Sequence, residues 1–273
     1  MLHKVIKKVL MCEPIHFSSL NYSINPWMKP GKINKEKSLK EWNNLVSLYK
    51  SLDIEVEILK QMPDVPDMVF STDQGIVHGG NLLLSRFKHK QRKNESKHYE
   101  KWFQKNGYKV KTLPANLHLE GNGELFFWND LIFLGVGFRS NKSVAKAISR
   151  FFGKEVVVIE IVDPYFFHLD VGFFPLNSNT IFYYPPAYSQ KSQKKLKEIV
   201  PNLIEFTKTE AFGFCGNSVA TDHHVVYQEG NYSFDNKLRH LGYKPDPVDL
   251  GEFVKSGGGA HCLTNILEET YES

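Results

Sequence analysis

Apolar positions along the chain follow two alternating rhythms, a helical stripe and then at once a short extended segment, and this pair occurs five times. The stripes lie within EKSLKEWNNLVSLYKSLD (36–53), SKHYEKWFQKNG (96–107), KSVAKAISRFFG (142–153), SQKKLKEIV (192–200) and FDNKLRHLG (234–242). They run into IEVEIL, YKVKTL, KEVVVIEI, NLIEF and YKPDPVDL. Glycine or asparagine often stands at the junction, as where a helix stops by turning left-handed. Four helices follow an apolar strand, namely QGIVHGGNLLLSRF, DLIFLGVGF, NTIFYYPPAY and HHVVYQEG, and KKVLMCEP serves the first. The repeated unit is therefore strand, helix, strand. Turn-rich links join the units and none reads as an interdomain linker, so one α/β domain is expected over residues 1–273.

The links carry the unusual residues, always after the second strand of one unit and before the first strand of the next. They are DMVFSTD, HLEGNGE, HLDVGFF, CGNSV and GGGAHC. Five units closed around an axis would bring these links to one end, placing Asp73, Glu120, His168, Asp170, Asn217 and Cys262 in one pocket. Taken alone, GGGAHC could be a flexible turn before a buried cysteine, HLD a buried histidine beside a cap, and LEGNGE a glycine turn. Their common phase favours a functional cluster. Asn217 could bond a ligand or tie its own loop.

Composition narrows the class. With 41% apolar residues, the chain can bury a large core. The 34 basic and 30 acidic side chains nearly balance, which implies neither a nucleic-acid partner nor an acidic lipid surface. The densest basic run, KHKQRK (88–93), reads as a solvated loop. Neither a bilayer-length apolar span nor the apolar core of a signal peptide is found, and a cytoplasmic setting is expected. Cys12, Cys215 and Cys262 lack the spacing of a zinc knuckle or a disulfide framework, and Cys12 and Cys215 read as packing. YYPPAY (183–188) reads as a loop pinned on the core.

Three carboxylates beside a thiol oppose its ionisation. They suit a planar cation, because a guanidinium matches carboxylates in bidentate fashion and its charge favours the thiolate at the moment of attack. The pocket predicts an arginine-like ligand and needs no cofactor. A zinc site built on Cys262, His168 and a carboxylate is chemically allowed, as an inhibitory or adventitious one.

LEGNGE, HLD and the C-terminal GGGAHC, in this order and on this repeat, resemble the guanidine-modifying superfamily of arginine deiminases, dimethylarginine dimethylaminohydrolases, arginine dihydrolases and amidinotransferases. The resemblance covers nearly the whole chain. It implies a five-bladed pseudo-symmetric α/β propeller around a central pocket. It also implies Cys262 as nucleophile, His168 as general acid and then base, and Glu120 as the carboxylate that holds His168 and substrate in register. Asp73 and Asp170 match guanidinium-binding positions, with Asp67 and Thr72 in the same substrate-binding link. Arg92 and Arg139 are similar in placement to arginines that hold an amino-acid carboxylate. INPWM (24–28) resembles the arginine dihydrolase group, whose matching Asn25 would sit over the ligand, whereas Asp73 departs from that group's asparagine. Hydrolysis that stops at citrulline is the primary expectation. The alternatives are a dihydrolase giving ornithine, an amidinotransferase, and a propeller that only binds an arginine-like ligand.

Overall fold

The computed structural model describes residues 2–18, 21–31 and 33–272. After β1 (His3–Glu13), helix α1 (Lys35–Ser51) crosses back so that β2 (Glu55–Lys60) pairs parallel to β1. Next, β3 (Gly75–His78) and β4 (Asn81–Leu84) form an antiparallel hairpin, and α2 (Ser96–Lys105) leads to β5 (Lys109–Thr112), parallel to β4. The pattern repeats as β6 (Leu125–Trp128), β7 (Leu131–Val136), α3 (Val144–Phe152) and β8 (Glu155–Glu160). A single helical turn, α4 (Leu169–Gly172), opens the fourth repeat of β9 (Phe173–Pro175), β10 (Thr180–Tyr183), α5 (Gln190–Ile199) and β11 (Asn202–Glu205). The fifth consists of α6 (Lys208–Phe212), β12 (Val219–Thr221), β13 (His224–Gln228), α7 (Tyr232–His240) and β14 (Lys244–Val248). Finally, α8 (Gly251–Val254) precedes β15 (Asn265–Glu272), which pairs antiparallel with β1. The last strand thus completes the first sheet, and five three-stranded sheets make a pseudo-symmetric α/β propeller.

All five expected helices and their following strands are present, but the repeat is richer than strand, helix, strand. Each sheet holds a third strand, supplied directly after a link: β3, β6, β9, β12 or β15. At three residues each, β9 and β12 are too short to show a period of two. QGIVHGGNLLLSRF, read as one strand, is the β3–β4 hairpin. Gly79 and Gly80 have φ of +55° and +73°, the pair of positive angles that a two-residue hairpin turn demands.

Each outer helix buries one stripe. On α1 the stripe includes Trp42, Leu45 and Tyr49, on α2 Tyr99 and Phe103, and on α3 Val144 and Ile148. At about 1.5–3 kcal/mol per large apolar side chain removed from water, these contacts hold the helices outside the sheets. Cys12 and Cys215 are free and fully buried in the core, and the YYPPAY segment buries Tyr183, Ala187 and Tyr188. KHKQRK corrects the solvated-loop reading in part: Lys88, Lys90 and Lys93 are exposed, whereas Arg92 is only 3% exposed and turned inward. No helix among the described residues is long and apolar enough to cross a membrane.

The links converge at one end of the ring. Thr72 N–H donates to the Cys262 carbonyl at 3.1 Å, Asn265 Nδ2 to the Ser71 carbonyl at 2.9 Å, and Asn217 Nδ2 to the Asp170 carbonyl at 3.3 Å. The hairpin turns lie at the opposite ends of the same strands. There a cavity of about 540 Å³ opens, lined by His78, Asn129 and Ser178 from three of the turns and bounded inward by Asn122 and His261.

Candidate active site

Cys262 sits on a loop whose geometry begins with Gly257, at φ +87°, where a Cβ would lie 3.0 Å from the Phe167 ring and 3.1 Å from Asn25 Oδ1. Asn217 fastens this loop, its Oδ1 accepting from Gly259 N–H at 2.8 Å and from Cys262 N–H at 3.0 Å. Its Nδ2 donates to Asp170 Oδ2 at 2.9 Å and lies 3.0 Å from Cys262 Sγ. The thiol donates to the same Asp170 oxygen at 3.1 Å. Asn217 therefore ties the Cys262 loop to Asp170, which goes beyond tying its own loop.

His168 caps the turn α4 in an extended conformation. Its Nε2 is 2.9 Å from Glu120 Oε2, and its Nδ1 is 3.6 Å from Asp73 Oδ1. Arg139 donates to that Glu120 oxygen at 2.5 Å, while Glu124 Oε2 accepts from Glu120 N–H at 2.8 Å. Asp73 is gripped by Arg92 at 2.6 Å. Arg92 is bound in turn to Glu95 at 2.9 Å and to the Asp67 carbonyl at 3.2 Å, with Phe87 against its guanidinium face. Asp67 Oδ2 accepts from Tyr22 Oη at 2.7 Å.

Gly123 lets these groups approach. A Cβ there would meet Asp73 Oδ1 at 2.5 Å and His168 Nδ1 at 2.8 Å. Gly123→Ala is therefore expected to cut turnover by about 100-fold, the scale of a 1 Å displacement of catalytic groups, with a smaller effect on melting. Steady-state kinetics beside a thermal melt checks this; activity close to wild type would show that the contact is slack.

Six buried carboxylates, Asp67, Asp73, Glu95, Glu120, Glu124 and Asp170, share the site with four buried basic side chains among the described residues, Arg92, Arg139, His168 and His261. Burial, Asp170 and Asp73 hold the Cys262 thiol well above its ordinary range, so it is protonated at neutral pH. For His168, burial opposes the charge, but Asp73 and then Glu120 outweigh it and raise the imidazole. Glu120 is likewise opposed by burial, yet Arg139 and His168 hold it well below the carboxylate range. Burial raises Asp73 and Asp67 even with Arg92 beside them. Most telling, Asp67 Oδ1, Asp73 Oδ1 and Asp170 Oδ1 are buried and have no hydrogen-bond partner.

A cavity of about 10 Å³, no more than a water needs, lies between these groups. Cys262, His168, Asp73 and Asp67 line it, as do Arg92, Arg139 and Asn25. Glu120, Asp170 and Asn217 stand behind that lining and act on it through His168 and Cys262. Thr72, expected at the substrate, does not line the cavity; its hydroxyl is buried without a partner and its N–H braces the Cys262 backbone. Asn25 is fastened to Ser256 and to its own turn, closing the cavity from above the Gly257 loop. No cluster of three or more potential metal ligands is arranged around an ion position among the described residues. Sequence reading passed over Glu95, Tyr22 and Glu124, which orient Arg92, Asp67 and Glu120. Only Glu124 left a signal, as the second acid of LEGNGE.

The family described as N,N dimethylarginine dimethylhydrolase, eukaryotic, matches residues 15–268. Among curated relatives, the bifunctional arginine dihydrolase/ornithine cyclodeaminase ArgZ of Synechocystis sp. is 35% identical over 96% of this chain, which spans only 38% of the length of that relative. The N(G),N(G)-dimethylarginine dimethylaminohydrolase of Mycobacterium tuberculosis is 33% identical, over 92% of this chain and 83% of its own. Among solved structures, the product-bound N-terminal domain of the cyanobacterial ArgZ superposes with a TM-score of 0.93 at 34% identity, covering 97% of this chain and 98% of that one.

Proposed function

The chain belongs to the N,N-dimethylarginine dimethylhydrolase family, whose hydrolases act on carbon–nitrogen bonds of amidines, and from that premise we propose that it hydrolyses the guanidinium group of arginine or an N-methylated arginine to citrulline. The observation that carries the reading is the set of three buried, unpartnered carboxylate oxygens on Asp67, Asp73 and Asp170 around Cys262. Leaving a buried acceptor unmade costs about 1–3 kcal/mol, and more for a charged one, so the site is built for a ligand that donates several hydrogen bonds and carries positive charge. A guanidinium meets both demands.

As the cation settles against the carboxylates, its charge lowers the thiol and Cys262 sheds its proton to water. The thiolate forms a carbon–sulfur bond to the guanidinium carbon, giving a neutral tetrahedral adduct. Protonated His168 gives its proton to the departing amine; the carbon–nitrogen bond breaks and a thiouronium remains on Cys262. Neutral His168 then takes a proton from water, whose oxygen attacks the same carbon, and collapse of the second adduct expels the Cys262 thiolate, which takes up the adduct's hydroxyl proton and leaves a neutral ureido product. Glu120, charged and held by Arg139, keeps His168 on Nε2 throughout. Arg92 spends most of its donors on Glu95, Asp73 and Asp67, so Arg139 is the stronger candidate to take the substrate carboxylate. At about 10 Å³ the cavity is smaller than a guanidinium, so the site must open to admit substrate.

Incubation with arginine and with dimethylarginine, with products identified by mass, tests the reading. Citrulline from either supports it; no turnover of both would reject it. A second reading, two successive hydrolyses giving ornithine, is favoured by Asn25 at the cavity wall and by the likeness to ArgZ. Asp73 weighs against it, since a carboxylate binds a cation more tightly than it binds a neutral urea. Asp73→Asn is expected to raise KM roughly 10- to 100-fold, the worth of one charge-assisted hydrogen bond. Ornithine from wild type with no citrulline accumulating would favour the second reading.

A further inference from the structure

His261, the residue before the nucleophile, has no part in the chemistry described above, yet it is buried and aimed at the site. Its Nδ1 lies 3.0 Å from Asp170 Oδ2, the oxygen that also accepts from Asn217 at 2.9 Å and from the Cys262 thiol at 3.1 Å. Three donors from three separate groups therefore converge on one carboxylate oxygen, while the other, Oδ1, has no partner. A carboxylate can only accept, so Nδ1 is the donor in this contact. Phe126 packs against the ring at 5.0 Å, the His261 backbone N–H donates to the Asn217 carbonyl at 3.1 Å, and the residue borders the large cavity on the hairpin side.

We propose that His261 is a positioning residue: by saturating Asp170 Oδ2 together with Asn217 and the thiol, it fixes the carboxylate behind the cavity lining, with Oδ1 left free to accept from the cationic group of the substrate once the cavity opens. This inference rests on the guanidinium reading above. Without the His261 donor, Asp170 turns to recover its lost hydrogen bond, and both the cation and the thiolate beside it lose their alignment. The group acts through Asp170 and touches no substrate atom.

The decisive comparison is His261→Asn against His261→Gln. Asparagine places its amide N–H₂ where Nδ1 stood, whereas glutamine carries the same group one carbon further, toward the Nε2 position. Alkylation of Cys262 by chloroacetamidine, a small amidine cation, and by neutral iodoacetamide reads the site without knowledge of the natural substrate. In each case a carbon–sulfur bond forms, halide leaves and the thiol proton is lost. His261→Gln is expected to slow the cationic reagent by roughly 10- to 100-fold, the effect of one hydrogen bond to a charged group. His261→Asn should stay within about threefold of wild type, and the neutral reagent should change little in either variant. Equal loss in both variants, no loss in His261→Gln, or parallel loss with both reagents would overturn the proposal. Failure of the guanidinium reading looks different, because wild type itself would then show no preference for the cation.

Discussion

Cys262→Ser is expected to lower turnover by four or more orders of magnitude, the scale reached when the nucleophile of a covalent hydrolase is removed, while fold and substrate binding persist. Serine fits the same space and can keep the hydrogen bonds to Asp170 Oδ2 and Asn217 Nδ2 that the thiol makes at 3.1 and 3.0 Å. What it lacks is an accessible anion. Even the thiol is held protonated by burial and by Asp170 and Asp73, and only the arriving cation offsets them; a hydroxyl starts several units higher and gains no comparable relief. Calorimetric binding of arginine should therefore survive, and mass spectrometry should find no covalent adduct during turnover. Activity within 100-fold of wild type would remove Cys262 from the mechanism.

The second large effect falls on His168→Ala, which loses the general acid and the base together, about 10²- to 10⁴-fold. Any thiouronium that forms should persist, because no imidazole remains to activate water; an adduct on Cys262 that outlives the wild-type turnover time is the diagnostic species. Wild-type release of product would assign the protons elsewhere. A pH signature accompanies this. Asp73 and Glu120 raise the imidazole above its unfolded value, so the paired imidazolium contributes its full stability below the ordinary histidine value and loses it as pH rises through the higher folded one. The melting-temperature gap between wild type and His168→Ala should accordingly narrow as pH rises through that interval. A gap that widens with pH would mean that the neutral ring is the form the fold prefers.

A third variant tests Arg92 as a structural arginine. Arg92 joins Asp73 to Glu95 in a wholly buried set, whereas Arg139 reaches Glu120 and the Ile24 carbonyl with donors to spare. Removing Arg92 is expected to cost about 3–5 kcal/mol of stability, the penalty of stranding a buried partner charge. Chemical denaturation checks it, and a loss under 1 kcal/mol would show that water or rearrangement satisfies Asp73 and Glu95.

By itself the sequence determined what depends on neighbours in the chain. Stripes such as Trp42, Leu45 and Tyr49 specify a helix because residues three and four apart share a face, and the five-fold recurrence follows from counting. Cys262, His168 and Glu120 were singled out for a different reason: they sit in links of one phase, and their motifs resemble a known chemistry. The third strand of each sheet was not legible, since three residues in β9 or β12 carry no period and take their form from pairing with β10 and β13. The direction of Arg92 was hidden too, because a basic run reads as solvated until Asp73 and Glu95, on other segments or the next turn, are brought to it. Above all, only the tertiary structure decided which carboxylate oxygens are used and which are left free. Asp170 meets Cys262 across 92 positions of sequence and His261 across 91, and no local pattern encodes that one oxygen takes three donors while the other takes none. Those contacts exist because the five sheets close into a ring through β15 and β1, and closure is a property of the whole chain.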